Sequence, residues 1–212
     1  MNENEIIGST AGEEAGSKEK IISASMEEFA EFGLSGARVD RIARRAGINK
    51  AMIYYYYQSK ENLYRAAARQ IFSAAAGRLR RRLDDAATLD EVLYEFADMH
   101  TFLFTTVPGF RAMALRELTQ PDSFLLDELA SLLEQTGIPA ALQKHFQEGM
   151  QSGSLRSLDG RQVMAAFISM SLGYHLIAPM TDRVFKITDR PTFLEERKRT
   201  ITDIFLNGVR NR

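Results

Sequence analysis

From Lys18 onward apolar residues recur every three or four positions and no convincing two-residue alternation appears, so the chain reads as all-α. In the first helix Ile22, Ser25, Met26, Phe29 and Phe32 fall in one stripe, and Gly33 in "EFGLSG" supplies the stop. Val39, Ile42, Ala43 and Ala46, at offsets of three, four and seven, share the inner face of a second, shorter helix. Arg41, Arg44 and Arg45 project from its opposite face. Gly47 ends that helix, and Asn49 can cap a third by accepting from the amides freed at its first turn. Behind a Ser59 cap, a long helix is predicted over residues 60–83. Prolines at 108, 121, 139, 179 and 191 then punctuate helices predicted over 89–106, 109–119, 123–135, 139–152, 159–178 and 192–207.

The third helix carries four consecutive tyrosines in "NKAMIYYYYQSK". With Ile53 at zero and a rotation of about 100° per residue, Tyr57 lies about 40° away and Tyr56 about 60° to the other side, so these three form the inner stripe. Ala51, Met52 and Tyr55 cluster near the opposite direction, with Tyr54 on the flank at about 100°. The run splits: Tyr56 and Tyr57 serve the core, Tyr54 and Tyr55 point outward.

Charge changes the picture. The net charge is only −1, but residues 1–16 hold four acids and no base, residues 17–82 fourteen bases and six acids, and the remainder thirteen bases and eighteen acids. A basic front and an acidic body assign polyanion contact to the front. Residues 1–16, polar and acidic with only Ile6 and Ile7 to bury, read as a disordered tail. The absence of cysteine excludes disulfides, thiolate zinc sites and cysteine nucleophiles. No apolar stretch approaches the roughly 18–20 uninterrupted residues of a membrane span, so no membrane partner and a cytoplasmic location are expected.

Two outward tyrosines beside Lys50, behind an arginine-studded helix and a glycine turn, form a helix-turn-helix reader: the second helix enters the major groove while cations and hydroxyls around it hold phosphates. Each arginine alone reads equally as a solvated face. Residues 18–63, "KEKIISASMEEFAEFGLSGARVDRIARRAGINKAMIYYYYQSKENL", closely resemble the DNA-binding domain of TetR/AcrR-type transcriptional regulators. The resemblance implies an N-terminal three-helix domain over residues 17–63 and a C-terminal helical bundle over 64–212 for ligand binding and dimerisation. It implies a homodimeric, sequence-specific regulator, a repressor released from a palindromic double-stranded operator by a small-molecule effector, and no cofactor. Carried onto matching positions, Lys50, Met52, Tyr54, Tyr55 and Lys60 become DNA contacts. Arg38 stands where a capping serine or threonine is usual, Met52 where threonine is common and Tyr55 where histidine is frequent. Losing the cap hydroxyl costs about 1 kcal/mol, while Arg38 adds a cation for phosphate. Met52 offers apolar contact, which leaves direct readout mainly to Tyr55 with help from Arg44 and Arg45. Lys60, first after the Ser59 cap, sits where helix amides already favour an anion. "RLRRRLDD", about 27 Å further along, reads as a solvated helix end.

Residues 83–212 offer no nucleophile elbow, phosphate loop or zinc-binding helix. His100, His145 and His175 are far apart in sequence with no second ligand at helical spacing, so no metal is expected. Most of the aromatic and Met residues here are core. On the resemblance, Phe102, Phe110, Met113, Phe146, Phe167 and Tyr174 are expected to line an effector pocket, with His175 supplying a hydrogen bond. The last two helices are expected to pair with their copies through Phe167, Met170, Leu194, Ile201, Ile204 and Phe205; a monomeric core is the other reading of that stripe. A helical small-molecule carrier or enzyme with an incidental basic front is the alternative function.

Overall fold

The computed structural model describes residues 3–85, 88–120 and 123–211. Among them are ten helices and no strand: α1 Glu3–Gly36, α2 Val39–Ala46, α3 Lys50–Tyr57, α4 Lys60–Asp85, α5 Leu89–Thr106, α6 Phe110–Glu117, α7 Phe124–Thr136, α8 Ile138–Gln151, α9 Gly160–Val184 and α10 Arg190–Val209. The chain divides into two compact units, residues 1–71 with 108–129, and residues 72–107 with 130–212. The boundary expected after residue 63 thus shifts into α4, and α6 joins the first unit. The reason is local packing: α6 lies on α1.

In the first unit Ile21, Ile22, Phe29, Val39, Ile42, Ile53 and Leu63 are buried together with Tyr64, whose ring meets Phe29 edge-on at 4.8 Å. Gly33 breaks α1 with φ 68° and ψ 177° before a last turn to Gly36. At Gly109, with φ 70°, a Cβ would stand 2.1 Å from the Cβ of Ala30, so only glycine lets α6 begin against α1. Arg116 of α6 donates to the Phe29 carbonyl at 3.3 Å. Two expectations are corrected here. Phe32, placed in the buried stripe, is 40% exposed beneath the Arg41 guanidinium, 4.0 Å from its ring. Residues 3–16, read as a tail, continue α1, because adding residues to an existing helix avoids the cost of nucleation. Residues 1 and 2 lie outside the described residues.

In the second unit α5 packs on α8, α9 and α10. Leu93, Phe96, Ile138, Phe146, Phe167, Ile201 and Phe205 share one core, with Phe167 and Phe205 edge to face at 5.0 Å. Thr88 caps α5 through a full capping box with Glu91. The C-terminus is tied back by Arg156 N–H donating to the Val209 carbonyl and Asn211 N–H to the Ser154 carbonyl. α9 runs through Pro179 to Val184 rather than stopping at 178; the proline removes one hydrogen bond near the helix end, and Ala178, Tyr174 and Leu194 cluster there. By length and composition α9 is apolar enough to cross a membrane. Serine, glycine and histidine interrupt its apolar run, and its buried face of Val163, Phe167, Ser171, Tyr174 and Ala178 belongs to this unit's core.

The basic run at the end of α4 is not a free solvated turn. Arg78 pairs with Asp98 and Arg82 with Glu95, each at 2.8 Å, because α5 presents acids opposite it.

Candidate nucleic-acid interface

Three local devices set α2 against α3. Gly47 takes φ 66° and closes α2, its N–H turning back to the Ala43 and Arg44 carbonyls. Asn49 Oδ1 then accepts the Ala51 amide at 2.9 Å and starts α3. Gln58, also at positive φ, ends α3, and Ser59 Oγ accepts the Asn62 amide to open α4. Each was legible as a turn or cap residue except Gln58, which lacks the usual glycine or asparagine signal.

Behind these helices sits a group the sequence did not announce as functional. Glu28 has no exposed surface, yet it accepts from the Arg38 backbone amide at 2.9 Å and from Arg41 Nε at 2.6 Å. Burial pushes its carboxyl up, but the Arg41 hydrogen bond, the Arg38 amide and the charges of Arg41 and Arg45 together hold it below the usual glutamate range. It stands in for the missing side-chain cap: Arg38 makes no cap bond of its own, and the buried carboxylate satisfies its amide instead. Arg41, expected on the solvent face, is consequently turned inward to Glu28 and to the Gly36 carbonyl. The available signal was a glutamate lying within the apolar stripe of α1, one helix away from a row of arginines.

On α3, Ile53 is 2% exposed, and Tyr56 and Tyr57 are half-buried. Met52 is 38% exposed, Tyr54 42% and Tyr55 72%, so the outer face predicted from helical rotation is open. Tyr55 packs edge-on against Tyr56 at 5.3 Å, which steadies its ring. Lys50 pairs with Asp40 at 2.8 Å and lies 5.9 Å from the Tyr54 ring. Arg38 and Arg44 are exposed on the same helical pair. Arg45 leans on Glu27 and Glu31 of α1, at 3.4 and 3.8 Å. Lys60 directs its ammonium to the Ser35 and Ala37 carbonyls, both at 3.3 Å, bracing the α1–α2 connection. The exposed ion pairs among them contribute little to stability.

The expected effector residues are scattered. Phe110 and Met113 are buried in the first unit with α6; Phe167 is sealed in the second unit's core. Phe102 is half-buried beneath the Arg78 guanidinium, 5.2 Å away, and Tyr174 donates to Asp182 at 2.6 Å. Phe146 lines a cavity of about 570 Å³ in the second unit. His100 and His175, distant in sequence, come together: His100 Nδ1 lies 2.8 Å from Ser171 Oγ, His175 Nε2 lies 3.4 Å from Thr101 Oγ1, and Phe104 stacks on His175. Of the residues expected at a dimer face, Phe167, Leu194, Ile201 and Phe205 are already buried within one chain, because α10 packs on α5 and α9. Met170 and Ile204 keep surface, Ile204 57%.

Residues 21–67 match the family model described as bacterial regulatory proteins, tetR family. The HTH-type transcriptional regulator RutR of Escherichia coli K12 is 27% identical over 201 residues, covering 92% of this chain and 91% of that one. The biofilm operon icaADBC negative transcriptional regulator IcaR of Staphylococcus epidermidis is 36% identical over 87 residues, 41% of this chain and 45% of its own. The Bacillus subtilis regulator FadR in complex with stearoyl-CoA shares the fold, with a TM-score of 0.71 at 22% identity over 89% of this chain and 97% of that one. The matched segment holds the open reader helix, its glycine turn and its capped start, so residues 21–67 are similar to the DNA-binding segment of the tetR family of bacterial regulatory proteins, and over nine-tenths of its length the chain is similar to a transcriptional regulator.

Proposed function

We propose that the chain is a cytoplasmic repressor that binds a palindromic operator as a homodimer and is released by a small-molecule effector. The observation that carries this reading is the division of α3, with Ile53 sealed and Met52, Tyr54 and Tyr55 open beside Lys50. Residues 17–63 hold the reader. Tyr55 and Met52 meet base edges; Arg38, Arg44, Arg45, Lys50 and Tyr54 surround them with phosphate contacts, and Lys60 serves from the start of α4. The family relatives named above are regulators, and the FadR complex with stearoyl-CoA supports a small molecule as the releasing signal.

For the dimer, Met170, Ile177, Met180 and Val184 fall on one side of α9, within about 80° of one another at 100° per residue, and Ile204 offers a further apolar side chain on α10. Ile177, Met180 and Val184 are 48, 58 and 65% exposed. Two copies of such a face form an isologous interface, and a palindromic operator offers its two half-sites one DNA turn apart to the two reader helices of a dimer.

The test is retention of a labelled fragment carrying an inverted repeat from beside the chain's own gene. Retention should fall steeply with salt and resist random competitor DNA. Equal competition by random DNA would sink the operator reading.

A further inference from the structure

The cavity in the second unit has a chemistry that narrows its guest. Its floor is Phe96, Ile138, Leu142 and Phe146, all at most 6% exposed. Met164 and Ile168 form its wall on α9, about half a turn from the Ile177 side, so the proposed dimer face leaves it uncovered. At about 570 Å³ it falls within the range of small-molecule sites.

The polar groups all stand at the mouth. Gln143 and Gln147 are one turn apart on α8, and Asp159 and Arg161 open α9. Arg161 is the single cation among the lining residues, and it is already engaged: its Nε lies 3.2 Å from Asp159 Oδ1 and its NH2 2.8 Å from Oδ2. Asp159 also accepts the Arg161 backbone amide at 2.9 Å and so occupies the helix end. Hydrogen bonds from the Arg161 side chain and amide hold the Asp159 carboxyl down at about 2, so the pair is fully ionised and sums to zero at neutral pH. A guest carboxylate would have to share the Arg161 cation with Asp159 and would lie beside that fixed anion. A hydroxyl, ester or amide meets no such penalty, since glutamine carboxamides both donate and accept.

We propose that this cavity is the effector site and that it selects an uncharged amphiphile, an apolar body ending in a neutral hydrogen-bonding group. This rests on the reading that the chain is released from DNA by a small molecule. Two simple probes of matched length separate the chemistries, dodecan-1-ol and dodecanoate, each displacing the fluorescent reporter N-phenyl-1-naphthylamine from the full chain at neutral pH. Dodecan-1-ol should compete at least about tenfold better than dodecanoate. Asp159→Asn keeps a helix cap while freeing Arg161, and should raise dodecanoate competition about fivefold or more with dodecan-1-ol unchanged. Met164→Trp should abolish reporter binding by filling the cavity; Ile168→Trp, at an exposed wall position, gives the same test if the first variant fails to fold.

Dodecanoate competing as well as dodecan-1-ol, or no displacement by either, overturns the proposal. Operator retention read in the same samples separates the two layers. Displacement by dodecan-1-ol with unchanged DNA retention supports the ligand class and overturns the effector role. Loss of retention together with reporter displacement supports both.

Discussion

At the scale of single residues, the proposed function divides the reader's labour between discrimination and attraction. Tyr55, 72% exposed on the outer face of α3, is the one whose loss should be felt as lost discrimination: Tyr55→Ala should narrow the affinity gap between operator and scrambled duplex. Lys60→Ala should weaken both duplexes alike and lower the salt slope by about 1, as read in titrations across ionic strength. An unchanged slope removes Lys60 from the phosphate contacts and leaves it as a brace for the Ser35 and Ala37 carbonyls. Gly109 shows how one missing Cβ fixes a contact. Gly109→Ala should destabilise the fold by about 2–4 kcal/mol in urea unfolding, combining overpacking against Ala30 with a left-handed backbone that alanine disfavours.

At the scale of elements, what was legible in the sequence was what local physics decides. The ten helices, the Gly47 turn and the caps at Asn49 and Ser59 follow from periodicity and from amides that need partners. The outward turn of Tyr54 and Tyr55 follows from rotation about one axis. What was not legible depends on which helix faces which. The stripe of Leu194, Ile201 and Phe205 is the same pattern whether it meets a copy or its own chain, and only the packing of α10 on α5 and α9 decides for the latter. Phe110 and Met113 could not be placed without knowing that α6 joins the first unit. Glu28 was not singled out because a charge beside an apolar stripe has meaning only once its partner, Arg41, is known. The apolar outer side of α9 should be the dimer contact: Ile177→Glu with Met180→Glu should turn a dimer into a monomer by sedimentation while far-ultraviolet dichroism stays helical.

At the scale of the whole molecule, acidity should reveal the buried histidines. Burial, followed by the charge of His175, lowers His100 to about 4; burial, followed by Arg197 and Arg190, lowers His175 to about 4. Both are neutral in the fold, whereas an unfolded chain protonates them near their ordinary 6.5. Their contribution is therefore intact above about pH 6.5 and lost progressively as pH falls towards 4, by up to about 3 kcal/mol each. Melting temperature should drop across that window, and a His100→Gln/His175→Gln chain should show a shallower slope. An equal slope would place the acid sensitivity elsewhere.

The enclosed Glu28 carboxylate has one further consequence. Water and dissolved ions do not reach it, whereas the Lys50–Asp40 bridge lies in the open. On the proposed function, high salt should therefore loosen the protein from its duplex while the scaffold that aims the tyrosines keeps its shape, and detachment should reverse on dilution.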